Sequence, residues 1–200
     1  MAVHVSDFIR ENYPEYYGWF EYPADRTVVF SSADGEWGIL GNFGHSALVV
    51  DGVPFECAEK IFQVMKFTDP TARRDVFSRK GQHIKMTAKH YQKEGLVRDD
   101  WPQIVLDALK FCLMTKYAQC EDFRKELART GDRFIVEHNV RKKPDTYNAA
   151  LSDDGRTWSG PNLMGRLLME LRDNGKLEYS LPEDVIRFGD LKENTPSASI

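Results

Sequence analysis

The chain has 200 residues, 42% of them hydrophobic and 29% charged, with a formal net charge of -4. That composition describes one folded domain with a sizeable core and not a disordered chain. The acidic balance argues against a protein that coats DNA or RNA nonspecifically, and leaves room for a local basic patch facing one phosphorylated ligand.

The three cysteines, Cys57, Cys112 and Cys120, have no CxxC spacing and read as reduced structural residues with no zinc site. No apolar run approaches a membrane span, and Asp7, Glu11 and Glu15 stand where a signal peptide would be apolar. The expectation is a soluble intracellular protein with no membrane partner, cytoplasmic, with the nucleus as the alternative.

In chain order, residues 3–20 read as a short amphipathic helix followed by an aromatic stretch, Tyr13–Phe20, that packs on a core. Arg26–Phe30 is β-branched and aromatic, a short strand. In Trp37–Gly44 the glycines Gly38, Gly41 and Gly44 favour a loop over a helix or strand interior. This loop is either a tight connection or one whose backbone meets a ligand, with Asn42 reading polar edges and Trp37 or Phe43 as an aromatic wall. Ala47–Val50, the turn Asp51-Gly52 and Val53–Phe55 read as a hairpin.

The hairpin leads into Phe55–Phe67, whose composition predicts a helix of about three turns. Cys57, Ala58, Ile61, Val64 and Met65 make its buried stripe, and Glu59, Phe62, Gln63 and Lys66 share a face beside it. That face is either a solvated Glu–Gln–Lys ladder or a reactive carboxylate and amine. Asp69–Ser78 predicts another helix, with Pro70 in its first turn. Gly81–Lys93 predicts a third, in the most basic segment, with Lys80, His83, Lys85, Lys89, His90 and Lys93. It is either a solvated face or a phosphate-facing patch.

Asp100 or Trp101 would cap a strongly apolar helix, Gln103–Tyr117, with Pro102 at its first position, and Asp122–Arg129 continues as a short helix. Arg133–Glu137 predicts a buried strand, His138–Pro144 a polar, basic loop, and Asp145–Leu151 has no clear pattern. Gly160–Arg172 has helix-start chemistry, and Asn162 and Gly165 stand where free amides would favour an anion. The tail after Leu191 is polar and expected to fray. No repeat or internal linker appears, so one domain is expected.

Several segments, in this order and spacing, together resemble the NADAR (YbiA-like) family. They are Gly38–Phe43, Ala58-Glu59 with Gln63 and Lys66, Trp101, Lys116-Tyr117, Thr130-Gly131-Asp132 and Val136-Glu137. The last is Gly160-x-Asn162-x-x-Gly165 with Leu168-Met169-x-x-Arg172. The resemblance covers roughly residues 28–173. It implies an α+β fold: a single, mostly helical domain with a few short strands. On this reading residues 1–27 are an N-terminal helical and aromatic extension, 28–175 the catalytic domain, and 176–200 a C-terminal extension with a partly disordered tail.

The resemblance also implies N-glycosidase chemistry, either removal of ADP-ribose from guanine bases or hydrolysis of ribosylated pyrimidine intermediates of riboflavin synthesis. The family's catalytic Glu matches Glu59, the characteristic Lys of the same helix matches Lys66, its Trp before a helix matches Trp101, and its Asp and Tyr match Asp145 and Tyr147. Six residues at four places depart from the pattern, and the loop before Asp145 is longer than the family's. Gly41 replaces Ser, Lys60 replaces His, Asn148-Ala149 replace Trp-Gly, and Ala88-Lys89 replace Gly-Arg. The implied catalytic set is Glu59, Lys66 and Asp145. The implied ligand-binding set is Gly38, Gly41, Asn42, Phe43, Gln63, Lys85, Lys89, Trp101, Tyr147, Asn162 and Gly165, with no metal and no cofactor. The expected partner is the ADP-ribose moiety of a modified guanine base or nucleotide, and nucleic acid enters only as substrate.

Breaking a ribosyl C–N bond requires charge stabilisation at the anomeric carbon, a proton for the leaving nitrogen and a nucleophile. Glu59 suits the acid–base role. Both implied substrate classes carry ribose on an exocyclic amine, and such a ribosylamine can open to an imine that a desolvated Lys66 could attack. In the milder alternative Lys66 pairs with a phosphate or with Glu59. A non-catalytic ADP-ribose reader is the third reading of the same residues.

Overall fold

In the computed structural model, which describes residues 5–138 and 144–194, helices carry most of the chain and the strands are short. The chain begins with α1 (Val5–Asn12), α2 (Pro14–Tyr17), β1 (Phe20–Pro23) and β2 (Thr27–Phe30). A 3-10 turn at Gly38–Leu40 and the hairpin β3 (Leu48–Val50) and β4 (Val53–Phe55) follow. The hairpin turns on Asp51 and Gly52, with φ of 50° and 72°, the two left-handed residues that match strand twist.

Next come α3 (Ala58–Val64), α4 (Pro70–Ser78), α5 (Gln82–Lys93), α6 (Trp101–Gln119) and α7 (Glu121–Arg129). The Asp69 carboxylate caps α4 by accepting from the Ala72 N–H at 2.8 Å, and Pro70 needs no acceptor in the first turn. Asp100 occupies the N-cap of α6, as expected, but its carboxylate is spent on Arg98 at 2.5 Å and not on the helix. The chain continues with β5 (Phe134–Glu137), β6 (Ala150–Leu151), β7 (Thr157–Gly160) and α8 (Leu163–Asn174), which stops at left-handed Gly175.

The long helix α6 is the spine, buried almost all round, with α1 and α3 packed on it and α4 and α5 behind α3. β2 and β5 pair in parallel, Thr27 opposite Phe134 through Phe30 opposite Glu137, and α8 lies across β5. A second sheet has the order β1-β7-β6, all antiparallel. Its strands are unforeseen in the sequence, because Phe20 reads there as aromatic packing, Ala150-Leu151 falls in a stretch with no clear pattern, and the partners of Phe20 and Tyr22 are the distant Gly160 and Trp158. The two layers meet where His138 donates its N–H to Phe30 O and bridges Ala149.

Two expectations are corrected. The helix expected over Phe55–Phe67 is shorter, because Cys57 is still extended and Lys66 stands in the turn after α3. The chain after Leu191 is not frayed as far as residue 194, since a 3-10 segment runs over Gly189–Asn194. Residues 195–200 and 139–143, the rest of the expected tail and loop, lie outside the described residues. The flanks of 28–175 are packed into the same body. Ile9 and Tyr22 on one side, and Leu177, Val185, Phe188 and Leu191 on the other, are all buried.

Candidate active site

The glycine loop is shaped by close approaches. A Cβ on Gly38 would lie 2.2 Å from Ala33 O, so only glycine fits there. Lys116 of α6 reaches the loop from below and donates its ammonium to Ile39 O at 2.5 Å and Gly41 O at 2.7 Å. The next carbonyl, that of Asn42, accepts the Glu59 N–H at 2.8 Å and ties the loop to the first turn of α3. The Asn42 side-chain oxygen is buried and has no hydrogen-bond partner. An unpaired buried acceptor of this kind is costly and suits a donor supplied by a ligand.

Glu59 is only 3% exposed, so the face expected beside the helical stripe is buried rather than solvated. Its Oε1 accepts from Gln63 Nε2 at 2.6 Å, and Lys85 Nζ of α5 lies 3.4 Å from the same oxygen. Lys85 also stands 4.8 Å above the Phe43 ring, which brings the loop, α3 and α5 to one point. Lys89, one turn farther along α5, is exposed and has no partner among the described residues.

The half-buried Lys66 side chain points its ammonium at two rings, 5.3 Å from the Phe62 centroid and 5.7 Å from that of Trp101. Those rings meet edge to face at 5.2 Å. Trp101 is thus a wall for Lys66 and part of the core, not an open stacking platform. Burial lowers the Lys66 pKa to about 8, nearby Lys85 lowers it too, and Glu59 pulls the other way and loses. An amine in this state exists in appreciable neutral fraction near neutral pH.

A second carboxylate, which sequence reasoning missed, completes the cluster. Glu137 ends β5, with its N–H donated to Asn162 Oδ1 at 3.1 Å and its carbonyl accepting the Ala149 N–H at 3.0 Å. Burial raises its pKa to about 7, with Glu59 and Asp145 pushing it further and Lys85 opposing. The available signal was a carboxylate closing a buried strand, Phe134-Ile135-Val136-Glu137. The half-buried Tyr147 phenol feels Asp145, Glu59 and Glu137, and burial with these charges holds its pKa well above the ordinary value.

Asp145 lies at the exposed rim. Its carboxylate accepts the Tyr147 N–H at 2.9 Å and Asn148 Nδ2 at 2.8 Å, while its own N–H donates to Asn148 Oδ1 at 3.1 Å. Asn148, standing where the resemblance led us to expect Trp, therefore closes this turn.

The expectation of free amides at the start of α8 is corrected. The N–H groups of Asn162, Leu163 and Met164 donate to the carbonyls of Asn148, Thr146 and Tyr147 at 3.2, 3.1 and 3.2 Å. Asn162, left-handed at φ 49°, spends its side chain on β5, with Nδ2 on Ile135 O at 2.8 Å. A Cβ on Gly165 would sit 2.0 Å from that same carbonyl, so this glycine serves helix–strand contact. Asn162 thus holds the backbone of β5 at Ile135 and Glu137, and Gly165 lets α8 approach that strand.

The cluster has an amine, one buried and one half-buried carboxylate, a phenol, an unpaired amide oxygen and aromatic walls. That set can deliver a proton, accept one and attack an electrophilic carbon. No group of His, Cys, Asp and Glu among the described residues could hold a metal ion. None of the described helices is long and apolar enough to cross a membrane.

A family model described as the NADAR domain matches residues 29–174. The N-glycosidase YbiA of Escherichia coli strain K12 is 28% identical over 154 residues, covering 77% of this chain and 91% of its own length. A riboflavin biosynthesis protein of Vibrio vulnificus is 26% identical over 168 residues, and the chain spans 42% of that relative's length. The NMR structure of E. coli YbiA superposes with a TM-score of 0.59 at 25% identity, covering 75% of this chain and 84% of that one.

Proposed function

The chain belongs to the NADAR domain family, and from that premise we propose that it is an N-glycosidase that removes ADP-ribose from the exocyclic amine of guanine, in nucleic acid or as a nucleotide. The observation that carries this reading is Lys66, an amine held beside Glu59 against two rings with its proton affinity lowered. A ribosylamine suits such an amine, because its sugar ring opens to an imine that the nitrogen can attack.

In the proposed sequence, the neutral Lys66 nitrogen adds to C1 of the open sugar. The C1–N bond to the base then breaks, and Glu137, protonated for part of the time at neutral pH, delivers a proton to the leaving amine. Lys66 is left as a Schiff base to the sugar. Water adds to it, Glu59 takes the water's proton, and collapse returns the free amine and ADP-ribose. The net change is one C–N bond hydrolysed by one water.

The test is base release from a guanine-ADP-ribosylated oligonucleotide, with borohydride added during turnover. Release together with a covalent adduct on Lys66 supports the reading. Release without any adduct, or full activity in Lys66→Ala, removes Lys66 as nucleophile. No release from either the oligonucleotide or the modified nucleotide removes the guanine substrate. A second substrate class is favoured by one comparison, the Vibrio vulnificus riboflavin biosynthesis protein. Ribosylated pyrimidine amines of riboflavin synthesis present the same C1–N bond, and parallel turnover with them decides between the two.

A further inference from the structure

One buried cation takes no part in the chemistry above. Lys116 is 0% exposed and forms no ion pair with a carboxylate among the described residues. Its ammonium faces the carbonyls of Ile39 and Gly41 from the glycine loop and, at 4.7 Å, the Phe123 ring of α7. It also lies within electrostatic reach of the Cys57 and Cys120 thiols. An ammonium buried without a counter-ion is expensive, so the contacts that compensate it are specific. Both of its hydrogen bonds go to one short loop.

That choice fixes how the loop's peptides face. No peptide bond of the described chain is cis, and in a planar trans peptide the N–H points opposite to the C=O. With the Gly41 carbonyl turned to Lys116, the Asn42 N–H is turned away from it. The Gly41 carbonyl also takes the Gly44 N–H at 3.0 Å, whereas the Asn42 N–H finds no acceptor among the described residues. The same residue carries the orphaned side-chain oxygen and gives its carbonyl to Glu59. Asn42 thus presents one unused donor and one unused buried acceptor beside the reactive carboxylate.

We propose that Lys116 is a positioning residue: by drawing the Ile39 and Gly41 carbonyls inward, it locks the loop orientation in which Asn42 offers its N–H and amide oxygen to the sugar–phosphate ligand and its carbonyl to Glu59. The proposal deepens the reading of this site as one for an ADP-ribosyl group, and rests on it for the identity of the ligand. The Lys116 ammonium is a switchable anchor, because burial lowers its pKa to about 8 while the two thiols oppose. Above that pH a neutral amine binds the two carbonyls more weakly.

The test begins without ligand, in the full chain carrying Lys66→Met so that the other depressed lysine is silent. Backbone amide NMR signals of Leu40, Asn42 and Glu59 should move together as the pH rises, with a midpoint near 8. Lys116→Arg in the same background keeps its charge and should flatten them. Signals that do not move, or that titrate unchanged with arginine present, overturn the proposal. Should arginine prevent folding, the Lys116 side-chain nitrogen is followed directly by isotope labelling, and a midpoint different from that of the Asn42 amide overturns it equally.

ADP-ribose is then the probe. Its affinity for the Lys66→Met chain should fall about tenfold between neutral and alkaline pH, and Lys116→Arg should remove the fall. A pH-independent affinity counts against a positioning role. Loop signals that titrate as expected in a chain that binds ADP-ribose at no pH leave the Lys116 anchor standing and overturn the ADP-ribose reading.

Discussion

Replacing Glu137 by Gln separates two assignments that the wild-type pH profile alone cannot distinguish. Lys66 and Glu137 sit near 8 and 7 respectively. If the reaction needs Lys66 neutral and Glu137 protonated, at the midpoint each is in the required state in about one quarter of molecules, so about one sixteenth of the enzyme is competent. The profile is a bell between those two values. The opposite requirement, Lys66 charged and Glu137 ionised, gives a bell of the same shape. In Glu137→Gln the carboxylate no longer titrates. The proton it would deliver is lost, and single-turnover base release should drop about 100- to 10,000-fold. The residual rate should then rise about tenfold per pH unit up to about 8 and level off, following the neutral amine alone. Relative to an ordinary lysine, burial of Lys66 enriches that neutral form about 300-fold at pH 7. A residual rate that falls through pH 8 would mean that the Lys66 charge is what the reaction uses, and the Schiff-base route would be abandoned.

Three further outcomes follow from the geometry. Glu59→Gln removes the charge that favours protonated Lys66, so the midpoint of borohydride trapping should move to lower pH than in the wild type; a shift to higher pH would contradict the electrostatics. Lys66 binds its proton more weakly folded than unfolded, so the folded state carries fewer protons between about 8 and 10.5 and is stabilised as the pH rises. From pH 8 to 9, urea unfolding should show wild type gaining about 1 kcal/mol more than Lys66→Met. Gly165→Ala forces a methyl into the Ile135 carbonyl and should cost about 1–3 kcal/mol in the same assay, with activity falling because Glu137 is carried by that strand.

The helices were legible because their punctuation is local. Asp69-Pro70, Pro102 and Gly175 mark ends through their own backbone chemistry, and apolar spacing marks the faces between. The strands β1 and β7 were not, since each is only four residues long and Phe20 pairs with Gly160 from the other end of the chain. The Glu59, Gln63 and Lys66 spacing was visible, but not their burial, which depends on the loop at Asn42, on Lys85 of α5 and on Trp101 of α6. Glu137 escaped for the same reason. Its surroundings are assembled from α5, the turn at Asp145 and α8, and no short window of sequence contains them. Asn162 and Gly165 were read as helix-end ligand groups because the sequence does not show that residues 146–148 already occupy those amides.

The ion pair at Arg73 bears on where this protein can be cut. Its guanidinium, 6% exposed, bonds Asp190 at 2.9 Å, the Arg187 carbonyl at 2.6 Å and the Phe67 carbonyl, one residue past Lys66, at 3.2 Å. A fragment limited to residues 29–174, the span matched by the family model, would strand that charge beneath the turn that carries Lys66. Breaking a buried pair from one side costs about 3–5 kcal/mol, a large share of a domain's stability. The family-model span and the packed body are therefore different lengths of chain here, and the C-terminal end acts as a keystone beneath Lys66.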